Sequence, residues 1–178
     1  MSRSELIRVA FFKGDKHKFH HRFVRWWTKS PYSHAEIVLD DGHTWISVSP
    51  FVFTQVSARI RTQVDENDWD YLEFLVTVEE LRALKDFISE TTGNGYDWIG
   101  MILSQVLPFI VKSKGRWYCS SWIAHALSHA GIVRWRKLGI YETPDLHPGK
   151  LYDILSQIAS IPREDTSETQ MNSDGHPL

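Results

Sequence analysis

The sequence predicts an α+β fold in which an antiparallel sheet packs on helices, one of them beginning at Cys119. Three observations carry this. An apolar run over residues 6–12 ends at Gly14-Asp15, two alternating segments are joined by Asp40-Asp41-Gly42, and Trp122, Ile123, Ala126, Leu127 and Ala130 form a helical stripe closed by Gly131. With 178 residues, 42% hydrophobic and 24% charged, the chain is sized for one domain with a real core. That domain is expected over residues 1–160.

Residues 6–12 are the first expected strand. Residues 17–28 follow as a helix whose Phe19, Phe23, Trp26 and Trp27 fall on one stripe toward the core. Ser30-Pro31-Tyr32 breaks this helix. Residues 33–39 then read as a strand with His34, Glu36 and Val38 on one face and Ala35, Ile37 and Leu39 on the other. Asp40-Asp41-Gly42 is a hairpin turn, and residues 44–48 return antiparallel, with Ser47 and Ser49 opposite in facing to Ile46 and Val48.

Residues 51–68 read as irregular. Residues 69–76 are a strand, and Thr77 with Glu80 forms a capping box for a helix whose stripe is Leu81, Leu84, Phe87 and Ile88, ending at Gly93. The apolar stretch 98–111 is interrupted by Ser104, Gln105 and Pro108 and is shorter than the ~20 residues of a membrane span; it reads as a buried helix. Residues 161–178 are polar and expected to be a disordered tail.

The formal charge of −2 creates no global field toward nucleic acid or an anionic membrane, so nucleic acid is not an expected partner. The start of the chain has no apolar signal-peptide run, and no integral membrane segment is expected. A cytoplasmic location follows as the expectation. The one cysteine excludes an internal disulfide framework and a multi-cysteine zinc site.

That cysteine opens a helix, where the partial positive charge of the N-terminus favours a thiolate. Cys119 is therefore the candidate nucleophile and His34 its candidate base, provided the fold brings the strand across the helix start. The base needs an orienting group. Glu36 shares its face, but two strand residues separate side-chain roots by ~6.5–7 Å; Ser47 and Ser49 are better placed across the hairpin and chemically weaker. The Cys119 amide is the obvious oxyanion donor, with Tyr118 or the region of Tyr32 as a second. Asp97 and Trp98 are further candidates near a substrate cleft, Asp97 doubling as a helix cap.

Blander roles compete. A lone helical cysteine is most often a small core residue. The basic run Lys13, Lys16, Lys18, Arg22, Arg25 and Lys29, with His17, His20 and His21 among it, suits either a solvated helix face or an anion-binding module. His17 with His21, and His125 with His129, have the i, i+4 spacing that zinc sites use. Neither pair carries the glutamate of a metalloprotease helix, so no metal and no cofactor is expected.

Ser33-His34-Ala35-Glu36-Ile37-Val38, Asp41-Gly42, Tyr96-Asp97-Trp98 and Trp117-Tyr118-Cys119-Ser120-Ser121-Trp122, in that order, resemble the circularly permuted papain-like branch of the NlpC superfamily. YiiX-like proteins, several bacteriophage proteins and lecithin retinol acyltransferase relatives share it. The resemblance covers roughly residues 5–135. It implies a permuted papain-like fold with the histidine strand ahead of the cysteine helix, and a cysteine peptidase or amidase acting on a peptide, a peptidoglycan peptide or another acyl substrate. The chain has Ser121 where the family often has glutamate, and only hydroxyls on the strand after the histidine. A lipid acyl hydrolase or acyltransferase, and a catalytically inactive binding or structural phage protein on the same fold, are the alternatives; if phage-encoded, its compartment would be the host cytoplasm.

Overall fold

Ser4–Phe12 (β1) buries side chains on both faces, Ile7, Val9 and Phe11 on one and Ala10 on the other, as a strand covered on both sides does. In the computed structural model, residues 4–14, 22, 25, 26, 28–49, 53–96, 116–140 and 146–159 are described. β1 pairs antiparallel with His34–Val38 (β2) on one side and with Trp69–Thr77 (β5) on the other. Thr44–Ser49 (β3) follows β2, and Phe53–Ile60 (β4) follows β3, giving a five-stranded antiparallel sheet in the order β5-β1-β2-β3-β4. Beyond β4 the sheet gains the two-residue strands Gly95–Tyr96 (β6) and Arg116–Trp117 (β7), which pair parallel to each other.

The hairpin between β2 and β3 turns where the sequence predicts. Asp41 accepts the Thr44 and His43 amides at 2.7 and 2.8 Å, and Gly42 takes φ +71°, which a side chain would strain. The expectation of irregular chain over residues 51–68 is corrected: they contain β4 and a 3-10 turn at Glu66–Asp68. β4 escapes pattern reading because Val56 is its only buried position among those described. Its alternation, Val56, Ala58 and Ile60, is short, and Ile60 is exposed, so the strand is held mainly by backbone pairing.

The helices cover one face. Val78–Thr91 (α1) starts with the expected capping box, in which Thr77 Oγ1 accepts from Glu80 N and Glu80 Oε2 accepts from Thr77 N, at 3.1 and 2.9 Å. Cys119–His129 (α2) buries Trp122, Ile123, Ala126 and Leu127, and Gly131 turns the chain at φ +74°. Pro148–Ala159 (α3), for which the sequence analysis has no assignment, inserts Leu151 and Leu155. These side chains form one core with Ile7, Val9, Phe11, Ile37, Ile46 and Val48. A small second cluster, Ala10, Val38, Trp45 and Trp69, lies on the opposite face of the sheet.

The expected helices at 17–28 and 98–111 lie largely or wholly outside the described residues, as does the tail 161–178. Arg22, Arg25, Trp26 and Thr28 are helical, but Trp26 is not on a buried stripe; it is 72% exposed. Arg25 explains this: its guanidinium donates to the carbonyls of Lys13 and Gly14 at 2.6 and 3.0 Å. Adjacent helical residues point ~100° apart, so anchoring Arg25 inward turns Trp26 outward. Among the described residues no helix is long and apolar enough to cross a membrane.

Candidate active site

Cys119 is the first residue of α2, and Tyr118, its N-cap, makes no side-chain capping bond. The first amides of such a helix have no intrahelical acceptor and are left to bind an anion. The helix packs against β2 and β3, which brings its N-terminus to the beginning of β2. There the ladder between the strands gives way. Ile37↔Ile46 and Val38↔Trp45 are in register, but one step further Ala35 spends its carbonyl on the Ser47 hydroxyl at 3.0 Å and its N–H on the Cys119 sulfur. Side chains have replaced backbone pairing, and the cysteine occupies the opening.

His34 begins β2 beside this opening. Its Nε2 lies 3.3 Å from Glu36 Oε1 and 3.2 Å from Ser47 Oγ. Ser47 already donates its proton to Ala35, so toward the ring it acts as an acceptor, and so does the carboxylate. The neutral ring therefore carries its proton on Nε2 and its lone pair on Nδ1. Of the groups the sequence offers as orienters, Glu36 and Ser47 both lie within reach of His34 Nε2.

Burial opposes charge on both partners, yet each is driven toward its ionised form. Burial alone would lower the His34 pKa, but the Cys119 thiolate, its hydrogen bond to the ring and Glu36 push it up to about 10. Burial likewise disfavours a Cys119 thiolate, and the positive ring, its hydrogen bond and the N–H groups of Ala35 and Ser120 outweigh it, lowering the thiol pKa. Each partner thus favours the charged form of the other.

Sequence reasoning misses two residues, Arg59 on β4 and Arg61 just beyond it. Both guanidinium groups donate to Glu36 Oε1, Arg61 at 3.0 Å. Glu36 is itself fully buried. Arg61 lies over the Trp45 ring at 4.8 Å and the Trp69 ring at 5.2 Å. The available signal was Arg-Ile-Arg, whose period of two puts both arginines on one side of an extended chain; reading residues 51–68 as irregular concealed it.

The other expected residues are placed as follows. Tyr118 is buried directly before the cysteine. The Tyr32 hydroxyl donates to Asp70 Oδ2 at 2.7 Å, and Asp70 also holds Lys13 at 2.5 Å, so that phenol proton is already engaged. Asp97 and Trp98 lie outside the described residues. Ser49 ends β3. The His125 ring packs on Trp117 and the His129 ring on Phe87; among the described residues no group of three or more His, Cys, Asp or Glu is arranged to hold a metal ion.

The arrangement brings a cysteine sulfur at a helix start, a histidine ring and a buried carboxylate together at one opening of the sheet. Comparison with protein-family profiles, with curated proteins and with solved structures gave no match.

Proposed function

We propose that the protein is a cysteine hydrolase of the peptidase or amidase type, working through an acyl-enzyme on Cys119 in a permuted papain-like architecture. The observation that carries this reading is the hydrogen-bonded pairing of Cys119 with His34 at the start of α2, which pushes the histidine pKa up and the thiol pKa down. The histidine strand preceding the cysteine helix in the chain supports it further.

In this mechanism the thiolate attacks the carbonyl carbon and the π electrons move to oxygen beside the Cys119 backbone N–H. Collapse of the adduct breaks the carbon–nitrogen bond, and the departing amine takes the proton of His34. Neutral His34 then takes a proton from water as that water attacks the thioester. The second collapse releases the acid and restores thiolate and imidazolium. Glu36 and Ser47 hold Nε2–H throughout, so that the other ring nitrogen serves both transfers.

The substrate class we propose is a peptide or amide bond, with peptidoglycan peptides the first to assay. A thiol-reactive acyl probe tests the core of the reading. Labelling of Cys119 faster than that of a free thiol and abolished in His34→Ala is the expected result; labelling no faster than a free cysteine would overturn it.

A further inference from the structure

We infer that Arg59 and Arg61 are positioning residues, which govern the Cys119–His34 pair through the carboxylate of Glu36; this rests on the cysteine-hydrolase reading above. Both arginines donate to Oε1, the same oxygen that faces His34 Nε2. Glu36 is fully buried and its Oε2 has no hydrogen-bond partner among the described residues. Two guanidinium donors on Oε1 set positive charge against the one oxygen that faces the ring and fix where the carboxylate points, so that it accepts from Nε2–H.

The two arginines are built into the fold. Arg59 is in register with Trp45 across β3 and β4. Arg61 is braced by Trp45 and Trp69, whose rings meet at 5.0 Å, an arrangement that restricts a long side chain and favours its charge. The surrounding groups leave this assignment intact. Across the sheet from Glu36, β1 presents Ala10 and β3 presents the neutral Ser47. Arg8, one step along that face of β1, is paired with Glu73 at 2.9 Å. Tyr71 of β5 feels the charge of Glu36 but has its phenol pKa raised, by burial first and then by Glu66, and stays neutral.

The consequence is electrostatic and has a definite sign. Removing a positive charge from the site increases the proton affinity of every group in it, the Cys119 thiol included. The test is the pH dependence of Cys119 alkylation by iodoacetamide in the full chain, comparing Arg61→Met, Arg61→Lys and His34→Ala with the native protein. In Arg61→Met the acid limb is expected to move to higher pH, slowing alkylation on that limb by about tenfold, the order that one charge several ångströms away produces. Arg61→Lys is expected to restore most of the rate, and Arg59→Met to move the limb the same way.

An unmoved limb in folded Arg61→Met, together with a His34→Ala profile that reverts to that of an ordinary thiol, overturns the inference and leaves the catalytic reading standing. A His34→Ala profile identical to that of the native protein overturns the catalytic reading itself. Should Arg61→Met fail to fold, Arg61→Gln, which keeps a donor to Oε1 without the charge, decides the matter by the same shift or its absence.

Discussion

His34 Nε2 lies 3.3 Å from Glu36 Oε1, although the two residues are two positions apart on one strand. Their side chains leave the backbone ~6.5–7 Å from each other, so ring and carboxylate lean together along β2. The guanidinium groups of Arg59 and Arg61 meet the carboxylate at that same oxygen, and Ser47 meets the ring from β3. The site is thus a chain of charges running from two arginines through Glu36 and His34 to the sulfur.

Activity is expected to follow a bell-shaped pH profile whose alkaline limb tracks His34, near about 10. Above that pH the ring no longer supplies the proton for the leaving group. The acid limb falls below the ordinary cysteine value because the thiol pKa is lowered. Hydrolysis of an amide substrate measured from pH 4 to 11 checks both limbs, and an acid limb at about 8.5, the value of an ordinary cysteine, would contradict the ion pair.

The same pair shapes stability. His34, raised in the folded state, contributes stability in full below about 6.5 and loses it as pH rises through about 10. Cys119, lowered in the folded state, contributes above about 8.5 and loses its part as pH falls through its folded pKa. Together they place the pair's greatest contribution between the folded pKa of Cys119 and that of His34, about 10. Melting temperature against pH is expected to show that maximum, and Cys119→Ala to flatten it.

Ser47→Ala removes both the acceptor for His34 Nε2 and the donor to Ala35 O. Expected losses are about 1 kcal/mol of stability and roughly tenfold in turnover, the scale of one orienting bond. Denaturant titration and steady-state kinetics measure the two separately. Unchanged turnover would leave Glu36 as sole orienter.

Thr77→Ala removes the capping box of α1, far from the sulfur, and is expected to cost about 1 kcal/mol. Turnover of the folded protein should stay at the native level.

Thr91→Val is nearly isosteric and takes away the acceptor of Trp122 Nε1, which lies 2.9 Å from Thr91 Oγ1 in the interior. A buried indole N–H left without an acceptor costs about 1–3 kcal/mol, and denaturant unfolding should show that loss. Because Trp122 lies one turn into α2, a shift in the Cys119 alkylation rate would report movement of the helix.

The sequence by itself determined the elements whose signal is local. The Asp41-Gly42 turn needs an acceptor at one position and a positive φ at the next; the Thr77 and Glu80 box closes within one helical turn; Cys119 opens a helix because apolar periodicity starts there and Gly131 ends it. Each is decided by residues a few positions apart, so each is legible. The tertiary structure decided what depends on remote partners: the opening of β2 from β3 at Ala35, the sharing of His34 between Glu36 and Ser47, and the arrival of Arg59 and Arg61 at one buried oxygen. β4 has only a short alternation, Val56, Ala58 and Ile60, and the period of two in Arg59-Ile60-Arg61 does not say which carboxylate the arginines meet. A carboxylate's distance from a guanidinium is set by strand register across the sheet, which no local pattern records.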